Sequence, residues 1–274
     1  MSLIKKKLFS LINNIWNLPF KTLRKILIFF VTRLNINEIP IHQQADLYSS
    51  VGLNRHLGKE LLDRVLKKEF NTTYDENNGM FSEHLILFGA LAKSNFRINA
   101  ILEIGTFDAK TALILSKLFP KASLTTLDLP EDDKEFSSTY NRKNKIKEFI
   151  INRNKILNLS KKIKFKQMNS LGICNWNEKF DLIWIDGAHG YPYIAMDLMN
   201  CFRLCNFNGY IIIDDLLEKV ILSDQFYKSS GGIESLKAMQ SAKLIKDFTL
   251  FPKRLGGKYN FYWTKKYVGF LKKN

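Results

Sequence analysis

Cysteine is scarce in this chain. Three residues, Cys174, Cys201 and Cys205, stand among 274, too few for a disulfide framework and wrongly spaced for a zinc site. Cys201 and Cys205 share a helical face and read as small buried apolar residues, which fits a reducing cytoplasm. No uninterrupted apolar run approaches the roughly 20 residues that a membrane span needs. The apolar stretch and small-residue cleavage site of a secretory signal are also missing. There is no internal repeat and no low-complexity tract. No arginine-rich run or glycine–aromatic RNA-binding motif accompanies the positive charge, which weighs against nucleic acid as a partner. The G-x-G-x-x-G fingerprint of dinucleotide enzymes is absent as well.

Acid is missing from one end. Residues 1–37 carry Lys5, Lys6, Lys7, Lys21, Arg24, Lys25 and Arg33, and the first acid is Glu38. Their apolar residues recur at helical spacing (Ile4, Leu8, Leu11, Ile15 and Leu18, then Leu23, Ile26, Leu27, Phe30 and Val31), with Pro19 dividing the two segments. A basic amphipathic helix can lie on an anionic membrane surface. It can also cap the domain or pack on a second subunit of a homo-oligomer, the plainer of the two readings. The expected organisation is an N-terminal helical extension over 1–75 and one domain over 76–274, with the polar loop 71–79 between them. The expected compartment is the cytoplasm, with peripheral contact at the inner face of a membrane as the variant. The net charge of +16 otherwise reflects lysine spread along the whole chain.

What is present is alternation. With 46% apolar residues the chain can fill a large core. Helical patterns at 41–70, 82–92, 111–118 and 143–157 alternate with short apolar strands at 100–104, 123–127 and 163–167. Two alternating strands, 244–251 and 258–264, close the chain as an expected antiparallel edge pair. This order predicts an α/β fold, a doubly wound and mostly parallel sheet.

The stretch 180–215 is the most informative. The apolar runs 182–185 and 210–213 end in Asp186 and in Asp214–Asp215, and Ile194, Leu198, Phe202 and Leu204 mark a crossover helix between them. Strand, helix, strand reads as a parallel βαβ unit. Its acids then gather at the carboxyl edge of neighbouring strands, roughly 5 Å apart, the edge where open α/β sheets bind ligands. Packed acids repel unless something positive lies between them, so a divalent metal is expected. Residues 216–232, with Lys219, Lys228 and a Gly231–Gly232 hinge, read either as a substrate lid or as a surface loop.

Upstream, ILEIGTFDAKTALIL joins the first strand to a helix. Gly105 permits a tight turn, Glu103 places a carboxylate beside it, and the helix points its free amides at whatever binds there. Asp128 ends the next strand 23 residues on, where a carboxylate can take both hydroxyls of a ribose.

With these residues the chain resembles the class I S-adenosylmethionine-dependent methyltransferases over about residues 80–265. LEIGTFDAKTALIL is similar to their first motif, and I-D-G-x-H-x-Y followed by D-D (Asp186 to Tyr191, then Asp214 and Asp215) is similar to the small sugar and catechol-type O-methyltransferases. The resemblance implies a seven-stranded Rossmann-like methyltransferase fold. It also implies that S-adenosylmethionine is the cofactor, with Glu103, Gly105 and Thr111 around its methionine part, Asp128 at the ribose, and Asn169 and Ser170 beside the adenine. Asp186, Asp214 and Asp215 would hold Mg2+ or another divalent metal. His189 would be the general base, working beside Asp186, and the acceptor would be a hydroxyl of a sugar, a glycan precursor or another small molecule. Where the family closes its first motif with glycine, this chain has Ala109 followed by Lys110.

Two other functions compete. Charge alone suggests a nucleic-acid methyltransferase, but the acid–Pro–Pro–aromatic segment of base N-methylating enzymes is replaced here by Asp186–Gly187–Ala188–His189. Ala109 and the basic N-terminus suggest a non-catalytic cofactor-binding or membrane-associated protein of the same fold.

Overall fold

A computed structural model of the chain describes residues 29, 34, 37–76, 81–138, 145–220, 227–260 and 265–274. The amphipathic stretch 1–37 therefore lies almost wholly outside the described residues, as does the middle of 216–232.

Helices α1 (Ile41–Ser50), α2 (Arg55–Phe70) and α3 (Glu83–Lys93) precede the sheet. Then β1 (Ala100–Ile104), α4 (Lys110–Leu118), β2 (Ser123–Asp128), α5 (Lys134–Ser138), α6 (Ile146–Leu157), β3 (Ile163–Gln167), β4 (Phe180–Ile185), α7 (Tyr193–Leu204) and β5 (Cys205–Leu216) follow. The chain closes with α8 (Gly231–Ser241), β6 (Phe248–Pro252) and β7 (Tyr267–Lys272). Seven strands pair in the order β3-β2-β1-β4-β5-β7-β6. The first five are parallel, and β7 and β6 run antiparallel at one edge. This is the doubly wound, seven-stranded, mostly parallel Rossmann-like sheet expected from the sequence.

Alternation along the central strands decides which side chain faces which layer. Leu182, Trp184, Tyr210 and Ile212 join the core under α1–α4. Their neighbours Ile183, Ile185, Ile211 and Ile213 join the core under α7 and α8. Both sheet faces are thus covered, which is why these strands are continuously apolar in sequence. Each fully buried aliphatic side chain contributes roughly 1.5–3 kcal/mol.

The N-terminal helices share this core through Tyr48, Leu62, Val65 and Leu66. Asn54 caps α2 by accepting the Leu57 amide at 3.0 Å, and Asn71 ends it in the left-handed conformation. Helices α2 and α3 touch through bare backbone, because a Cβ on Gly89 would lie 2.2 Å from the Gly58 carbonyl oxygen. No helix among the described residues is long and apolar enough to cross a membrane.

Two expectations need correction. The antiparallel closing strands lie at 248–252, where 244–251 was expected, and at 267–272, while the second expected strand, 258–264, falls partly outside the described residues. Buried Phe251, Val268 and Phe270 set their register, while Gly257–Tyr259 forms a 3-10 turn. Gly231 and Gly232 open α8 rather than forming a free hinge, and Gly232 is pressed against Leu216 and Ile194.

Candidate active site

The order of strands reverses between β1 and β4, and the sequence-predicted residues converge at the carboxyl edge there. Gly105 follows β1 with φ +98°, and a Cβ on it would lie 2.1 Å from the Asp186 carbonyl oxygen. Its first task is therefore to let the ends of β1 and β4 touch. Gly105→Ala is expected to cost at least about 1–3 kcal/mol and to displace Asp186. Urea unfolding checks this, and a variant as stable as the wild type would contradict it.

Glu103 is fully buried. Its Oε2 accepts a hydrogen bond from Thr126 Oγ1 at 2.6 Å, and its Oε1 has no hydrogen-bond partner among the described residues. Burial first, with help from the charges of Asp186, Asp128 and Asp108, raises its pKa well above the carboxylate range, against the Thr126 hydrogen bond. An unpartnered buried carboxylate oxygen suits a cationic ligand group such as an amino acid ammonium. Asp128 ends β2 and accepts the amides of Phe107 and Leu129, each at 2.9 Å, so it fastens the β1–α4 loop as well as facing the edge. In that loop Phe107 (φ 45°) and Ala109 (φ 64°) are left-handed. The departure at Ala109 thus keeps a glycine-like turn, at roughly 1–2 kcal/mol for the conformation. Thr111 is the second residue of α4.

The register Ile185↔Ile213 sets Asp186 opposite Asp214 across the β4–β5 edge. Asp186 Oδ1 lies 3.5 Å from His189 Nε2, with the Asp186 side chain about a third exposed and that of His189 9% exposed. Burial first and the Asp214 charge second push the Asp186 carboxyl up to about 7, against its hydrogen bond with His189. Burial alone would lower the His189 pKa, but the Asp186 hydrogen bond and the neighbouring Asp215 outweigh it and raise it.

Asp214 and Asp215 do not stand as metal ligands. A bulge interrupts the β5–β7 ladder between Ile213 and Leu216, and Asp215 takes φ 53° within it. Successive strand residues normally face opposite sides. The bulge re-aims these two, so both carboxylates hydrogen-bond the Lys253 ammonium, and Asp215 also binds that of Lys266. Burial opposes the charge on Lys253, but Asp214 and Asp215 outweigh it and raise its pKa. Two carboxylates facing two ammonium groups are already neutral. At 4 Å two unit charges interact by about 4 kcal/mol at an effective dielectric near 20, so a dication in their midst would meet repulsion of about twice that from each lysine. No group of three or more His, Cys, Asp and Glu among the described residues is placed to hold a metal ion. The set Asp186, Asp214 and Asp215 therefore does not fit a divalent cation. The repulsion inferred from sequence is real, but lysine side chains relieve it.

Asn169 and Ser170 follow β3, at the start of a 3-10 turn. The Asn169 side chain caps the 3-10 turn Ser170–Asn175 by accepting the Leu171 amide at 2.9 Å. Asp197 of α7 lies buried with neither carboxylate oxygen hydrogen-bonded among the described residues, and burial pushes its carboxyl up to about 6. Sequence reasoning missed Asp197, Lys253, Lys266 and His84, a buried imidazole stacked on Trp184 at 4.6 Å and within the fields of Asp214 and Lys253. Lys253 is one of many lysines, and only the pairing of β6 with β7 distinguishes it.

Among known proteins, a family model described as a methyltransferase domain matches residues 102–216. No functionally curated protein matches. Among solved structures, a protein from Klebsiella pneumoniae provisionally described as an O-methyltransferase aligns at 18% identity and TM-score 0.48, covering 78% of this chain and 90% of that one. An O-methyltransferase family protein from Burkholderia thailandensis aligns at 10% identity and TM-score 0.45, covering 69% of this chain and 55% of that one. The N-methyltransferase NodS from Bradyrhizobium japonicum aligns at 13% identity and TM-score 0.43, covering 68% and 92%. Residues 102–216, from β1 to the end of β5, match a methyltransferase domain.

Proposed function

We propose that this chain transfers a methyl group from S-adenosylmethionine to a hydroxyl oxygen of a small acceptor such as a sugar or glycan precursor. The methyltransferase-domain match supports the reaction class. The observation that carries the reading is the unpartnered Glu103 Oε1 at the same sheet edge as Asp128 and the Asp186–His189 pair.

Glu103 would receive the ammonium of the cofactor's methionine part, and Asp128 its ribose hydroxyls. When bound, S-adenosylmethionine supplies an electrophilic methyl group on a sulfonium, drawn to this acidic edge. The hydroxyl's proton goes to the Asp186–His189 pair, which holds it between Asp186 Oδ1 and His189 Nε2. Asp186 is the more exposed member and in this reading would face the acceptor, with His189 behind it. No step passes through a metal ion.

The pair must be free of its proton to act as a base. Because the Asp186 carboxyl is pushed up to about 7 and the His189 pKa is raised, kcat/KM is expected to climb as pH rises through neutrality and to fall below it. A pH–rate profile checks this, and a flat line across neutrality would contradict it. The reaction itself is tested with full-length protein, methyl-labelled S-adenosylmethionine and a panel of sugars, glycan precursors and catechols. Label recovered as a methyl ether supports the reading. Label found on nitrogen or nucleic acid, or none transferred by protein that binds the cofactor, would overturn it.

A further inference from the structure

We infer that the Lys253 ammonium is this site's built-in cation, a positioning group that stands in for a divalent metal by holding Asp214 and Asp215 together. The inference rests on the methyl-transfer reading for its purpose, but its geometry stands alone.

Lys253 is 7% exposed and Asp214 4%, and lysine is rarely buried to that degree unless it is paired. Its backbone is fixed from three sides. The Lys253 amide donates to the Lys266 carbonyl at 2.9 Å, the Glu83 amide at the start of α3 donates to the Lys253 carbonyl at 3.0 Å, and Gln44 Nε2 holds the Pro252 carbonyl at 2.9 Å. These bonds fix the backbone from which the ammonium reaches the two carboxylates. The bulge at Asp215 completes the fit by turning two consecutive carboxylates onto one nitrogen. A surface lysine needs none of these devices. Lys266 supplies the second positive charge, on Asp215 only. The Lys253 charge also acts on Asp186 and opposes its protonation, so the lysine bears on the proposed proton acceptor as a metal would. An acceptor therefore has no need to chelate, and a single hydroxyl suffices.

The test is Mn2+ binding to full-length protein, read by electron paramagnetic resonance and by the shift in thermal midpoint, for wild type, Lys253→Met and Lys253→Arg. Wild type and Lys253→Arg are expected to bind no stoichiometric Mn2+ and to melt alike with Mn2+ or chelator. Lys253→Met leaves two carboxylates short of one positive charge, so it is expected to bind one Mn2+ per chain about tenfold or more tighter than wild type. Stoichiometric Mn2+ on wild type, or equal affinity in wild type and Lys253→Met, would overturn the inference. Should Lys253→Met fail to fold, wild type and Lys253→Arg still decide it, since tight Mn2+ on either one sinks it. Calorimetry with S-adenosylhomocysteine on the same wild-type sample separates the two readings. Absence of cofactor binding sinks methyl transfer without touching the lysine, and stoichiometric Mn2+ sinks the lysine without touching methyl transfer.

Discussion

His189→Ala is expected to lower methyl transfer by about 10²–10⁴-fold, the usual contribution of a positioned general base, while leaving cofactor affinity unchanged. The Ser229 hydroxyl fixes the backbone by donating to the His189 carbonyl at 3.1 Å, the imidazole Nε2 lies 3.5 Å from Asp186, and the imidazole Nδ1 has no hydrogen-bond partner among the described residues. Its removal takes away half of the pair that shares the proton and none of the groups proposed to bind the cofactor, Glu103 and Asp128. Single-turnover rates separate the chemical step from binding. A variant that keeps full rate, or one that loses cofactor affinity along with rate, would contradict the division of roles.

Arg55→Ala is expected to destabilise the protein by about 3–5 kcal/mol, a large share of the 5–15 kcal/mol typical of a folded domain. Glu83 is wholly buried and receives Arg55 Nε at 2.7 Å, the same guanidinium at 3.0 Å and the Tyr48 hydroxyl at 2.8 Å. Arg55 also reaches Glu76 at 2.7 Å. One guanidinium thus fastens α2 to α3 and to the segment after α2. Burial raises the Glu83 pKa against the pull of Arg55, so without the arginine the carboxylate would be a buried charge with no counter-ion. Adding Glu83→Gln to Arg55→Ala is expected to recover part of the loss. Urea unfolding of the single and double variants reads this directly. A single-variant loss under about 1 kcal/mol would place the pair among ordinary surface ion pairs.

The central sheet was legible because its residues carry their own periodicity. The runs 182–185 and 210–213 are apolar on both faces, and helical spacing marked α7 between them. The edge pair was misplaced because 244–264 alternates weakly, and its register depends on cores that local sequence does not display. At the site, the acids were found because strand ends are easy to locate. Their partners were not, because Lys253 and Lys266 lie about 40 to 50 residues from Asp214 and Asp215 in sequence, and only an antiparallel hairpin brings them together. Lysine ammonium groups lie against Asp214 and Asp215, where the sequence reading expected a divalent metal. Asn169 was similarly found at a strand end, and the capping of the local turn by its side chain was not legible there.

The central claim is that the carboxyl edge formed by Glu103, the 105–109 loop and Asp128 holds S-adenosylmethionine. Isothermal titration calorimetry of S-adenosylhomocysteine into full-length protein tests it most directly. One site per chain is expected for wild type, with affinity weaker by about tenfold or more in Asp128→Ala, the worth of a lost charge-assisted hydrogen bond. Wild-type protein that gives no heat with S-adenosylhomocysteine, or an Asp128→Ala variant that binds as tightly as wild type, would contradict the account.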